Sequence, residues 1–119
     1  MGAKAIVQEF YQSDVLLDAD KVNALLHPEV VLEWHSTKGF LKLNKNQMVE
    51  LSNELSKAYI RSKSRISHIV ADGNTVAVRY DHYVKTIENP REEMLLAHFM
   101  VVWEVKDDKL YRGYQMSQL

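Results

Sequence analysis

MLLAHFMVVWEVKDDKLYRG, residues 94–113, is the stretch that decides the fold. One parity of its first half reads Leu95, Ala97, Phe99, Val101, Trp103 and Val105; the other reads Met94, Leu96, His98, Met100, Val102 and Glu104. Alternate residues of a strand point to opposite faces, so a sheet with one solvated side would place polar residues throughout one of these sets. Neither set is polar. The wholly apolar set is expected to meet helices. The mixed set is expected to leave an exposed apolar patch of the kind that marks an interface, and a homodimer through the outer sheet face follows. Asp107-Asp108 turns the chain back, which makes strands over 92–105 and 110–118 a hairpin.

Upstream, the same period of two runs through 65–71 and 75–87, with turn signals at Asp72-Gly73-Asn74 and Asn89-Pro90. Together the four segments predict an antiparallel meander. A two-residue turn at Asn89-Pro90 sets His82 opposite Ala97 and Tyr80 opposite Phe99, both facing inward. A three-residue turn instead pairs His82 with His98, because a slip of one residue carries every side chain across the sheet. On the last strand Leu110, Arg112, Tyr114 and Met116 share one parity and Tyr111, Gly113, Gln115 and Ser117 the other. A bulge would exchange them, so either Tyr114 or Gln115 faces the interior.

Further upstream, Ile6, Val7, Phe10, Tyr11, Val15 and Leu17 predict an amphipathic helix over 3–17. Asp18 or Asp20 caps a second helix that His27-Pro28 ends, since a residue before proline disfavours helical dihedrals. Val30 to His35 reads as a strand with Val30, Leu32 and Trp34 on one face, and Lys38-Gly39 breaks it. Asn44 and Gln47 have capping-box spacing ahead of a third helix that runs to about Ile60. Lys57, Arg61, Lys63 and Arg65 then fall at its carbonyl end, where positive charge complements the dipole. The order is helix, helix, strand, helix and four strands, an α+β arrangement with helices on one face of a sheet. No linker or repeat interrupts it, so residues 1–119 are expected to form one domain.

Composition narrows the chemistry. Fifteen Lys and Arg against sixteen Asp and Glu leave a net charge of −1, without the basic face that nucleic-acid binding rests on. The absence of Cys excludes disulfides, thiolate metal sites and a Cys nucleophile. Four scattered glycines form no phosphate loop or dinucleotide fingerprint, and no cofactor is implied. The longest apolar stretch, Met94 to Trp103, has about half the length a membrane-spanning helix needs. No membrane or nucleic-acid partner is expected, and a cytoplasmic location is the default.

The IVQEFYQ first helix, the VVLEWH strand and the LLAHFMVVWEVKDDKLYR hairpin, with the order of elements between them, resemble the nuclear transport factor 2-like superfamily. SnoaL-like cyclases and ketosteroid isomerases belong there. The resemblance covers residues 3–118. It implies a cystatin-like α+β cone, in which a curved antiparallel sheet wraps around three N-terminal helices. It also implies an apolar pocket at the open end and frequent dimerisation by the outer face. In the ketosteroid isomerase branch a Tyr in the first helix and a protonated Asp on the penultimate strand stabilise the oxyanion while a second Asp moves the proton. The matching segments put Phe10, Ala97 and Trp34 at those three places. None of these side chains can do that work, so the resemblance does not carry that branch's chemistry to this chain.

What remains is an apolar interior with few polar members. His82 is the candidate acid or base, because an imidazole titrates near neutral pH, and Tyr80 is the candidate hydrogen-bond donor. Phe10, Trp34 and Phe99, with Tyr114 or Gln115, would line a pocket for a small apolar molecule. The plainer alternatives are a structural histidine and an ordinary aromatic core. Asp81, next to His82 in sequence, points to the opposite face and cannot orient it. His35, His68 and His98 lie on separate strands without metal-ligand spacing, and no metal is expected. Two functions stand side by side. One is cofactor-free proton transfer, cyclisation or hydration of the SnoaL-like kind; the other is a noncatalytic ligand-binding or dimerisation module.

Overall fold

The elements that the computed structural model describes, over residues 2–119, begin with α1 (Ala3–Phe10), which buries Ile6, Val7 and Phe10 on one side. The expected helix over 3–17 ends there. Asp14 takes a left-handed conformation (φ 70°), and residues Val15–Leu17 form a 3-10 turn. Tertiary bonds win over helix continuation. The Asp14 N–H donates to the Ser62 carbonyl at 2.8 Å, and the Ser62 N–H donates back to Asp14 Oδ1 at 2.9 Å. Arg61 closes on Asp14 Oδ2 at 2.9 Å.

Asp18 caps α2 (Ala19–Leu25) by accepting from the Lys21 N–H. Strand β1 (Leu26–Ser36) then starts earlier than expected and contains His27-Pro28. A proline is tolerated because the ladder to the next strand is interrupted between Leu26 and Val31, while the strand on its other side pairs only from Leu32 onward. Gly39, at φ 119°, closes a turn into β2 (Gly39–Leu43), a short strand that the sequence pattern does not reveal. Helix α3 (Lys45–Ala58) carries the capping box: the Asn44 side chain accepts from the Gln47 N–H at 2.9 Å, and the Gln47 side chain accepts from the Asn44 N–H at 2.8 Å.

The remaining strands are β3 (Tyr59–Asp72), β4 (Thr75–Thr86), β5 (Met94–Lys106) and β6 (Lys109–Gln118). Strand β3 begins where the end of the third helix was expected. Arg61, Lys63 and Arg65 are therefore strand residues, and the Arg65 guanidinium lies over the Tyr83 ring instead of at a helix terminus. All six strands form one curved, open sheet in the order β2-β1-β6-β5-β4-β3. The expected antiparallel sheet is corrected at one pairing: β1 runs parallel to β6, whereas the other four pairings are antiparallel, so the sheet is mixed. Register shifts in four of the five strand pairings bend the sheet, as bulges do. Among the described residues no helix is long and apolar enough to cross a membrane.

The β4–β5 register places Tyr80 opposite Phe99, His82 opposite Ala97 and Asp81 opposite His98. His82 therefore faces inward. The loop over residues 87–93 is longer than a two-residue turn, but Leu96 is an extra residue between the His82–Ala97 and Tyr83–Leu95 pairs, and it restores the inward register. On β6, a second bulge at Tyr111 turns Gly113, Gln115 and Ser117 toward the helices. Trp103 pairs with Gly113 and is fully enclosed.

That pairing explains the glycine. A Cβ on Gly113 would stand 2.6 Å from Trp103 Cζ3 and 2.7 Å from Leu32 Cδ1. Both neighbours are core side chains on different strands, so neither can withdraw cheaply. Gly113→Ala is expected to cost about 1–3 kcal/mol by overpacking, seen as a lower urea midpoint with an unchanged denaturant slope. A midpoint equal to that of the unaltered chain would show that the indole does not bear on this residue.

Candidate functional site

The concave side of the sheet and the inner faces of the helices line a chamber of about 130 Å³ that is partly open to solvent. Helix α1 supplies Phe10, with Tyr11 directly after it, and α3 contributes Met48, Leu51, Ser52 and Leu55. From the sheet come Leu32, Trp34, Tyr80, His82, Leu96, Phe99, Trp103 and Gln115. A second hollow of about 430 Å³ lies against the first, between the β1–β2 turn and the ends of β5 and β6. The two share Trp34, Leu96 and Phe99 as a common wall.

Every sequence-derived candidate except Tyr114 borders the inner chamber. The bulge at Tyr111 sends Tyr114 to the convex face, where it is 42% exposed, and gives its inward place to Gln115. Burial and the Glu104 and Glu33 carboxylates beside it raise the Tyr114 hydroxyl above its ordinary pKa. Phe10 packs edge-on to Trp103, and Tyr80 stacks on Phe99 with ring centroids 4.9 Å apart.

Tyr11 and Ser62 enter the site without having been singled out. The Trp103 indole N–H donates to the Tyr11 hydroxyl at 2.9 Å, and Tyr80 is hydrogen-bonded to the same oxygen. Burial raises both phenols, so neither ionises near neutral pH. Tyr11 was legible only as one more apolar position on the first helix. Ser62 carried no signal, because the strand holding it was expected to start later.

His82 has Ser62 as its partner, with Nε2 and Oγ 2.7 Å apart. No carboxylate touches it; Asp81 instead meets His98 on the outer face at 2.7 Å. Burial pushes the His82 pKa down to about 4, since the charged imidazolium loses its hydration in this apolar setting. Near neutral pH the ring is uncharged, a weak base with no extra proton to give. Gln115 is 7% exposed and borders the chamber. Trp34 is anchored by its indole N–H, which donates to Ser117 Oγ at 2.9 Å.

His35 and His68 also lie away from the chamber, on β1 and β3, and among the described residues no three His, Asp or Glu side chains gather as a metal ligand set. Chemically, the chamber offers flat apolar walls, one amide and a neutral imidazole.

The family model of the SnoaL-like domain matches residues 7–113. No curated protein matches the chain in sequence. Among solved structures, an LEH-like epoxide hydrolase from M. tuberculosis superposes with a TM-score of 0.74 at 20% identity, covering 97% of this chain and 81% of that one. IdmH from Streptomyces antibioticus, a candidate polyketide cyclase, superposes with a TM-score of 0.73 at 12% identity, covering 97% and 91%. An NTF2-like protein of unknown function from Burkholderia pseudomallei gives 0.66 at 15% identity, covering 97% and 90%. At these identities the likeness is one of fold.

The depressed His82 pKa makes a prediction about stability. Between about 6.5, the ordinary value, and about 4 the unfolded chain binds a proton that the folded chain refuses. Stability contributed by neutral His82 is therefore complete above that window and falls as pH drops through it, by up to about 3 kcal/mol. Urea midpoints of the unaltered chain and of His82→Gln should converge as pH is lowered across this range. Parallel pH profiles would show that His82 titrates normally.

Proposed function

We propose, for a chain that belongs to the SnoaL-like domain family, that its interior takes up one small apolar molecule and holds it without acid–base chemistry. The observation that carries this reading is the chamber itself, an unfilled space among buried aromatic and aliphatic side chains in an otherwise packed core. Interiors normally leave no such gap, and dry apolar cavities of about this volume accept a benzene-sized guest. Phe10, Trp34 and Ala97, where the ketosteroid isomerase branch has its working groups, present only apolar surface. The competing reading, cofactor-free proton transfer, has one feature in its favour: His82 lies on the chamber wall beside Tyr80. Against it stand a pKa near 4 and the lack of any carboxylate to orient the ring.

Calorimetric titration with small neutral aromatic molecules, together with thermal shift, tests the proposal, since a ligand that binds only the folded state raises its stability. Leu51→Trp puts an indole into the chamber and should abolish binding, whereas Glu50→Gln, on the exposed side of α3, should leave it unchanged. Equal binding by both variants would remove the chamber from the account. Turnover of a bound molecule that disappears in His82→Gln would favour the enzymatic reading instead.

The partner on the convex face is proposed to be a second copy of the chain. Met100, Met116 and Tyr114 form an exposed patch there, at 61%, 66% and 42%, continued by Val102 and Val70. Charges of both signs are mixed around it: Glu33, Glu104 and Arg112 adjoin Tyr114, and Arg79 and Arg65 adjoin Asp81, so two copies can meet there without like charges massing on one side. Sedimentation at micromolar concentration is expected to show a dimer that Met100→Asp converts to monomer. A monomeric unaltered chain would refute the interface.

A further inference from the structure

Trp34 and Trp103 are held in different ways. Trp103 is fully enclosed, with core atoms around its indole and its N–H spent on Tyr11. Trp34 is half-buried and borders empty space on both sides, the inner chamber of about 130 Å³ and the outer hollow of about 430 Å³. Both hollows are partly open to solvent, so the indole stands between them at the rim of the core it packs against. Its N–H donates to Ser117 Oγ at 2.9 Å, and its ring lies 6.2 Å, centroid to centroid, from that of Phe99. Leu96, the extra residue of the β5 bulge, completes the wall.

We infer that Trp34, pinned by Ser117, is a specificity-determining partition that limits the inner chamber to a single-ring apolar guest and keeps it separate from the outer hollow. This rests on the ligand-binding reading above. Walled off, the inner space matches a benzene-sized molecule. Joined to the outer hollow, it reaches the volume of ordinary ligand pockets and would admit an elongated two-ring molecule lying through the gap. Ser117 and Trp34 are on neighbouring strands, β6 and β1, and Ser117 lines only the outer hollow. Loss of its hydroxyl should free the indole without removing atoms from the chamber wall.

The test uses fluorobenzene and 4-fluorobiphenyl as probes, followed by ¹⁹F NMR titration, with the Leu51→Trp change reporting whether a probe reaches the inner chamber. In the unaltered background Leu51→Trp should abolish fluorobenzene binding and leave any 4-fluorobiphenyl binding within about threefold, because the longer probe is confined to the outer hollow. In Ser117→Ala, and in Trp34→Leu as a second route, 4-fluorobiphenyl should bind about tenfold tighter, and Leu51→Trp should now reverse that gain. Fluorobenzene binding to Ser117→Ala should stay within about threefold of the unaltered chain. Thermal melts establish that each variant is folded. An unchanged 4-fluorobiphenyl affinity in both variants, with fluorobenzene binding intact, overturns the partition alone. So does a Leu51→Trp effect on 4-fluorobiphenyl in the unaltered background. Failure of both probes to bind any of the folded proteins overturns the ligand-binding reading and the partition together.

Discussion

The indole of Trp103 over the bare α-carbon of Gly113 is the contact on which the rest of the structure depends. A large aromatic on β5 can sink to complete burial only where its partner on β6 has no side chain, and Gly113 meets that condition opposite it. Once there, the indole needs a partner for its N–H, because an unmet buried donor is costly. The Tyr11 hydroxyl supplies it, which fixes the end of α1 against the sheet, and Phe10 packs edge-on beside it. The position of α1 and the floor of the chamber are thus set by one side chain and one missing side chain.

From that floor the polar groups are arranged by what burial permits. His82 faces a medium that disfavours charge, so it remains neutral and takes Ser62 as its partner. Ser62 is itself held by paired bonds to Asp14, at the point where the chain leaves α1. The network therefore runs outward from the imidazole to the surface without meeting a carboxylate on the chamber side. Its effect is to settle a buried polar ring and tie the loop after α1 to β3.

Much of the fold could be read from residue patterns because burial imposes period two on strands. The alternation identified the inward set from Ala97 to Val105, though not Leu95, which the bulge at Leu96 leaves 46% exposed, and the capping box at Asn44 and Gln47 formed as its spacing implied. The misreadings have local physical causes. Strand β2 is too short and too exposed to leave a period, and the end of the first helix is decided by Asp14 bonding to Ser62, a partner distant in sequence. The site was legible where it followed parity: Tyr80, His82, Phe99 and Trp34. It was not legible where a bulge intervened, since one inserted residue at Tyr111 exchanged Tyr114 for Gln115, and another brought Leu96 onto the chamber wall. Composition contains nothing that places a bulge.

The same bulges give the interior its particular character. A regular β5 would pass Ala97 and Phe99 inward with nothing between them and the strand end. The inserted Leu96 instead borders both hollows beside Trp34. Phe10 and Trp34 present flat apolar surface to the chamber. Burial among such side chains lowers the His82 pKa and raises the Tyr11 and Tyr80 hydroxyls. The apolar packing that builds this interior therefore disfavours charge on all three groups at once, since an ion placed there loses its hydration without gaining an opposite charge.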